Sequence, residues 1–309
     1  MTSINTNTSA MTALQSLSMI NSNLDQTQNR ISTGYRVGAA SDNAAYWSIA
    51  TTMRSDNKAL GAVEDALGLG QAKVDTAYTG MKAAIDVVDE MKAKLVAARE
   101  PGVDRSKIQA EIKELQGQLS SIATSASFSG ENWLSFDGAT TDTKNVVASF
   151  NRSAAGAVSV GTIEIVIGAT KLFGDDNPAA AGTDNGILNS TFTTTGGGNV
   201  TVSVSNLDIT TAGVTDLDIN QMISEVDDAI QSMTTAASNL GAAKSRMDIQ
   251  SEFVSNLRDS IEKGVGTLVD ADMTEESTRL KALQTQQQLG VQALSIANNS
   301  SQSLLSLFR

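Results

Sequence analysis

The sequence predicts a mainly α fold: a long antiparallel coiled-coil helical bundle built from both chain ends, with a small β-rich outer insertion. Three observations predict it. Apolar residues follow alternating spacings of three and four over stretches far longer than an ordinary globular helix. Only two prolines, Pro101 and Pro178, occur in 309 residues, which leaves room for very long helices. Aromatic residues are only 4%, so the core must come from aliphatic and methionine side chains in narrow helix–helix seams.

Residues 3–33 read as the first helix, about 45 Å long at ~1.5 Å per residue. Ser3 is its expected N-cap and Gly34 its end. Ala10, Ala13, Leu17, Ile20, Leu24, Thr27 and Ile31 line one stripe, and no charged side chain occurs from Met1 to Leu24. The outer face carries Ser, Thr, Asn and Gln where an ordinary solvated helix carries Lys and Glu. Such groups tolerate burial when hydrogen-bonded; unpaired charges do not.

Residues 34–43, GYRVGAASDN, form a connector whose Ser41 or Asp42 should cap the next helix. From Tyr46 and Ile49 to Leu95 that helix keeps the three–four rhythm without a break, only Asp56 and Gly70 failing to supply an apolar side chain. A sustained 3.5-residue repeat means a coiled-coil seam. Pro101-Gly102 breaks the helix. Asp104 then caps a third, in which Ile108, Ile112, Leu115, Leu119, Ile122 and Ala126 repeat the rhythm. A long helix, a short connection and a shorter helix imply an antiparallel pair.

After Phe128 the texture changes. Trp133 and Phe136 should cover the bundle end. Residues 137–215 are rich in Gly, Thr, Ser, Asn and Asp, with short β-like runs at 146–150, 158–167, 191–195 and 200–204, and Gly196-Gly197-Gly198 as a hairpin turn or a flexible tip. Helix returns at Asp218, expected to form a capping box with Gln221. Its seam runs from Ile219 to Ile261. GVGTLVDAD (264–272) reads as a second connector, and Asp272 with Glu275 caps the final helix. That helix is uncharged between Lys281 and Arg309 and carries two apolar stripes. Two helices alone cannot bury two stripes each, so other copies of the chain should supply the missing cover.

Composition removes several function classes. The formal net charge of −12 argues against nucleic acid, which needs a basic patch to displace counterions, and against anionic membranes. No cysteine and no histidine occur, which removes disulfides, thiol chemistry, the commonest general base and the commonest metal ligand. No enzyme, cofactor or metal site is expected. Asp175, Asp176 and Asp184 read as a turn-rich loop, and the paired acids Asp227-Asp228 and Glu275-Glu276 point apart on helices. The N-terminus lacks the pattern of a secretory signal, and no run of about 20 apolar residues is present to span a bilayer.

Three blocks carry a family resemblance: NRISTGYRVGAASDNAAYWSIA near the start, SKIQAEIKELQGQLSSIATSASFSG in the middle, and VDADMTEESTRLKALQTQQQLGVQALSIANNSSQSLLSLF at the end. Together they resemble bacterial flagellin, in its alphaproteobacterial branch, over roughly 1–136 and 216–309. The resemblance implies a subunit exported by the flagellar type III system that polymerises into the extracellular filament for swimming motility. It implies an inner core domain from 1–43 and 268–309, a rod-like helical domain from 44–136 and 216–267, and a surface-exposed variable region at 137–215. The polymerisation interface is then expected at Leu14, Leu17, Ile20, Leu24 and Ile31 of the first helix, and at Leu283, Leu289, Leu294, Ile296, Leu304, Leu307 and Phe308 of the last. Arg30, Arg36 and Asp42 are candidate salt-bridge partners, within or between copies.

The implied partners are other copies of the chain, a mixed set of related subunits, an export chaperone, the filament cap and the hook–filament junction proteins. The alternatives are a junction protein itself, or a surface adhesin acting through 137–215. Two departures from the family matter. Its innate-immune receptor stretch reads LQRVRELAV; here Val88–Val96 reads VDEMKAKLV. Glu90 and Ala93 replace an Arg and a Glu, with Met91, Lys92, Lys94 and Leu95 alongside, so weak or absent receptor activation is expected. The zinc-protease variant of the family needs H-E-x-x-H, which a chain without histidine cannot supply.

Overall fold

In the computed structural model, residues 7–136, 142–174 and 186–307 are described. Five helices dominate: α1 (Thr8–Thr33), α2 (Ala44–Ala97), α3 (Arg105–Ser125), α4 (Asp216–Val269) and α5 (Met273–Leu307). Between α3 and α4 lie β1 (Ser127–Phe128), β2 (Glu131–Asn132), β3 (Thr143–Arg152), β4 (Val158–Val166), β5 (Phe192–Thr193) and β6 (Thr201–Val202), paired β1–β2, β3–β4 and β5–β6, all antiparallel. The chain divides into two compact units, residues 1–58 with 258–309, and 59–257, so α2 and α4 each contribute to both. The predicted β-rich stretch belongs with the second unit.

In the first unit, α1 starts one turn later than predicted. Asn7 caps it, its side-chain oxygen accepting the Ala10 N–H; Ser3, the expected cap, lies outside the described residues. Gly34 closes it in the left-handed region at φ 76°, a conformation that costs a residue with a Cβ. The two predicted connectors are one structure. Tyr35 bridges Asp270, the Arg36 and Val37 N–H groups both donate to the Val269 carbonyl, and Ala271 N–H donates to Gly34 O. Val37, Ala50, Val265 and Val269 are buried together there, with Met53, Ile261 and Leu268 packed against them.

Three readings of this region are corrected. Asn43, not Ser41 or Asp42, caps α2, accepting the Ala45 and Tyr46 N–H groups. α4 does not stop at Gly264 but runs to Val269. Each glycine within a helix costs ~1 kcal/mol against alanine, and burial of Val265 and Val269 offsets that at ~1.5–3 kcal/mol per side chain. Tyr46 and Ile49, read as the start of the α2 seam, are 42% and 47% exposed.

In the second unit the seam is as predicted. Leu60, Val63, Leu67, Val74, Ala77, Met81, Ala84, Val88, Met91 and Leu95 of α2 are all buried. Ile219, Val226, Met233, Leu240, Met247 and Val254 of α4, and Ile108, Ile112 and Leu119 of α3, are buried too. Ion pairs fix an antiparallel register: Lys92 with Asp227 and Lys244 with Asp75 at 2.6 Å between α2 and α4, and Lys94 with Glu111 at 2.7 Å between α2 and α3. The Lys92 ammonium beside Asp227 holds that carboxyl below its ordinary range, and hydrogen bonding to Glu111 raises Lys94. These pairs are partly solvated, so they set register more than stability.

The connecting region is clamped onto the helices. Of the two side chains expected to cover the bundle end, Trp133 is buried and Phe136 half-buried, and Leu134 is buried beside them in the chain; the Asn132 side chain donates to Ala123 O of the last α3 turn at 2.6 Å. Gln109 of α3 donates to Leu207 O at 3.0 Å and accepts the Ile209 N–H at 2.9 Å. The β3–β4 hairpin bulges between Val147 and Ser149, and Gln250 of α4 donates to Ala148 O there.

The start of α4 corrects the predicted capping box. Thr215 caps the helix, and Asp218 is the reciprocal acid; Gln221 instead holds Thr195. The solvent-inaccessible Asp218 carboxylate accepts the Thr215 N–H at 2.8 Å, the Thr215 hydroxyl at 2.7 Å and the Gly196 N–H at 2.8 Å. The Thr215 bonds, backbone first, hold it well below the usual carboxylate range, with smaller help from Thr194 and Gly196. A depressed folded-state value stabilises the fold above the ordinary carboxylate pKa, about 4, and that stabilisation is lost as pH falls below it. Asp218→Asn should therefore lower the thermal midpoint at neutral pH, and the gap from the unchanged chain should close progressively below about pH 4. A gap that persists undiminished at pH 2, followed by circular dichroism on free subunits, would contradict this assignment.

Candidate assembly surface

The surface is built on the α1–α5 pair. The helices run antiparallel: Asn7 Nδ2 donates to Ala297 O at 3.0 Å, Gln287 Nε2 to Asn21 Oδ1 at 2.7 Å, and Arg30 pairs with Glu276 at 3.1 Å. Three of the neutral polar side chains, Asn7, Asn21 and Gln287, thus bridge the pair. Gly290 explains its place in an apolar stripe, since a Cβ there would sit 3.1 Å from Leu17 Cδ1 and 3.9 Å from that of Ile20. Leu24, Thr27 and Leu283 are buried.

The other stripe is uncovered. On α1, Met11, Leu14 and Met19 are 64%, 58% and 61% exposed; on α5, Leu289 and Ile296 share this face at 59% and 69% exposed, while Val291, exposed too, points to the other side of the helix. Met11, Leu14 and Met19 border one shallow groove. With no charged residue from Met1 to Leu24 or between Lys281 and Arg309, this face has apolar side chains set among neutral polar ones. It is suited to burial against protein at ~25 cal/mol per Å² of apolar surface.

The structure sorts the residues named for this role. Leu14, Leu289 and Ile296 are exposed and available. Leu24 and Leu283 are buried inside the chain, and Leu17 and Ile20 close on Gly290, so these four serve the intrachain seam; Ile31 and Leu294 are half-buried. The expectation that all of them face other copies is corrected accordingly. The side chains of Leu304 and Leu307, and all of Phe308, lie outside the described residues. Met11 and Met19 were missed, although Met11, Gln15 and Met19 already share helical spacing.

The charged candidates divide similarly. Arg30 finds Glu276, which is 5% exposed and also held by Arg279 at 3.4 Å. Arg36 and Asp42 make no ion pair among the described residues. Arg36 donates to Leu268 O at 2.9 Å, and Asp42 accepts the Gly38 and Ala39 N–H groups at 3.0 and 3.1 Å. Both fasten the connector. Glu276 and Arg279 sit in a segment whose acids read as helix caps, which hid their pairing role. In the receptor stretch, Met91 and Leu95 are fully buried, Lys92 and Lys94 are ion-paired, and Glu90 is exposed. No described helix is long and apolar enough to cross a membrane.

Comparison with known proteins adds two family matches. Residues 4–140 match the bacterial flagellin N-terminal helical region, and residues 223–308 match the bacterial flagellin C-terminal helical region. The chain is 55% identical to Flagellin C of Rhizobium meliloti (strain 1021) over 322 residues, covering all of both chains. It is 47% identical to Flagellin A of Rhizobium meliloti over 404 residues and 49% identical to the Flagellin of Brucella melitensis biotype 1 over 310 residues, again covering all of each chain.

Proposed function

Because this chain belongs to the bacterial flagellin family, we propose that the exposed stripe of its α1–α5 pair is the surface on which one copy docks against the next. As a flagellin it is a structural subunit that polymerises into the extracellular helical filament, is exported by the flagellar type III system and serves swimming motility. What is proposed is the assignment of parts. The first unit carries the assembly contacts of the filament core, the second the surrounding helical layer, and residues 137–215 the solvent-facing region.

The observation that carries this reading is the two-striped helix pair, without a charged residue over 1–24 and 282–308, with one stripe closed inside the chain and the other open. The open stripe is heterologous, a patch meeting a different patch on the next copy, which generates an open helical polymer. Charges placed at Leu289 and Ile296 test it: they must remove filament formation and leave the folded subunit intact. Before assembly the same apolar stripe is the natural ligand of an export chaperone, and the filament cap and the hook–filament junction proteins would meet the chain at the two ends of the polymer.

The receptor stretch follows from the same layout. With Met91 and Leu95 in the seam and Lys92 and Lys94 engaged by Asp227 and Glu111, the outward side chain is an acid, Glu90, where the family presents an Arg. Monomeric chain should activate the flagellin-sensing toll-like receptor weakly or not at all in reporter cells. Activation at nanomolar concentration would reject that.

A further inference from the structure

The ten methionines are unevenly protected. Met81, Met91, Met222, Met233 and Met247 are fully buried in the second unit, and Met53 is packed against the core of the first. Met11, Met19 and Met273 are 64%, 61% and 45% exposed. Two of these three lie on the uncovered face of α1, at either end of one groove.

From this arrangement we propose that Met11 and Met19 form an oxidation-sensitive site that blocks assembly of the free subunit and is shielded once the subunit is in the filament. The proposal rests on the assembly-surface reading above. The reagent is hydrogen peroxide. The thioether sulfur attacks one peroxide oxygen, an S–O bond forms as the O–O bond breaks, and the second oxygen leaves as water. The sulfur is oxidised by two electrons and the peroxide reduced by two. The product sulfoxide is polar and chiral, and enzymatic reduction returns the thioether. Within a helix facing water the change is nearly free. Within a dry contact it buries a strong acceptor without a guaranteed donor, which destabilises the contact. The groove's polar lining is Thr8, Thr12, Gln15 and Ser18, with no cation, and the Thr12 hydroxyl already donates to Thr8 O, so no charged donor on this face compensates two sulfoxides.

Buried thioethers resist the reaction because peroxide must reach the sulfur. Peroxide should therefore leave the five fully buried methionines of the second unit intact and write its damage into the assembly surface. An oxidised subunit stays folded and fails to add to a filament, and a filament already built is spared.

The test uses the full-length chain, as free subunits and as filaments, exposed to the same peroxide dose and mapped by peptide mass spectrometry. Expected in free subunits is sulfoxide at Met11 and Met19 with Met81, Met91, Met222, Met233 and Met247 unmodified. Filaments should show Met11 and Met19 protected. Oxidised subunits should need at least about tenfold higher concentration to extend filament seeds, a polar-burial effect, and methionine sulfoxide reductase should restore extension. Met11→Leu with Met19→Leu should extend at one and the same rate before and after peroxide, whatever that rate is, whereas Met273→Leu should still lose extension on oxidation. Oxidised subunits that extend like untreated ones would overturn the inference and leave the assembly surface standing. Equal oxidation of Met11 and Met19 in filament and free subunit would overturn the assembly surface itself. If the double leucine variant assembles poorly from the start, recovery by the reductase decides: no recovery counts against the proposal.

Discussion

A chain carrying Leu289→Lys and Ile296→Lys folds as the unchanged chain does and forms no filament. Both side chains are mostly exposed in the single subunit, at 59% and 69%, so lysine there keeps its ammonium in water and leaves the α1–α5 seam untouched. Lysine is also a good helix former, so α5 loses nothing intrinsically. The polymer differs. Each lost aliphatic side chain removes about 1.5–3 kcal/mol of apolar burial, and each unpaired ammonium enclosed by protein costs several kcal/mol more. Every 1.4 kcal/mol is about tenfold in affinity, so the critical concentration rises more than about a thousandfold. Circular dichroism of the free subunit should be unchanged, while seeded growth and swimming are lost. Leu289→Met with Ile296→Leu, which keeps the face apolar, should still assemble. Filaments of normal yield from the lysine variant would remove α5 from the assembly contacts.

That expectation depends on a division the sequence shows only in part. Two stripes per terminal helix are visible in the spacing, and the missing charges say that neither stripe meets bulk water for good. Which stripe closes inside the chain is not visible, because Leu17 and Leu14 are equivalent until the partner helix is placed. Gly290 decides it: its lack of a side chain admits Leu17, and everything on the opposite side is left for other copies. The second-unit seam was legible because a 3.5-residue repeat has one meaning when sustained. The ends of helices were less so. Thr215 outcompetes Asp218 as a cap because Asp218 reaches back to Thr215 and across to Gly196. The GVG segment stays helical because Val37 and Ala50 cover Val265 and Val269, a tertiary effect that overrides propensity.

Gly70 gives the second large effect, and here the sequence and the structure predict opposite signs. In the repeat it is a hole at a seam position of α2. Read from spacing alone, Gly70→Leu fills the seam and removes the ~1 kcal/mol that glycine costs within a helix, so it stabilises. In the fold the hole is occupied. A Cβ at Gly70 would stand 2.4 and 2.9 Å from the two Cγ atoms of Val146 and 3.2 Å from its Cβ. Val146 is buried on β3, and a β-branched side chain has few χ1 alternatives with which to yield. The hairpin must shift, and β3 is pinned by Gln250 on Ala148 O and by its register with β4. Gly70→Leu should therefore destabilise the second unit by about 1–3 kcal/mol, the usual cost of overpacking, and expose the β3–β4 hairpin to protease. Gly70→Ala should do the same to a smaller extent, and combining it with Val146→Ala should recover part of the loss, because only the 3.2 Å approach remains. The double-mutant cycle is the decisive measurement, since residues in contact couple by ~0.5–3 kcal/mol and distant ones do not. Additive effects, or a more stable Gly70→Leu, would mean that the hairpin does not rest on α2 at this position and that the repeat alone describes the seam.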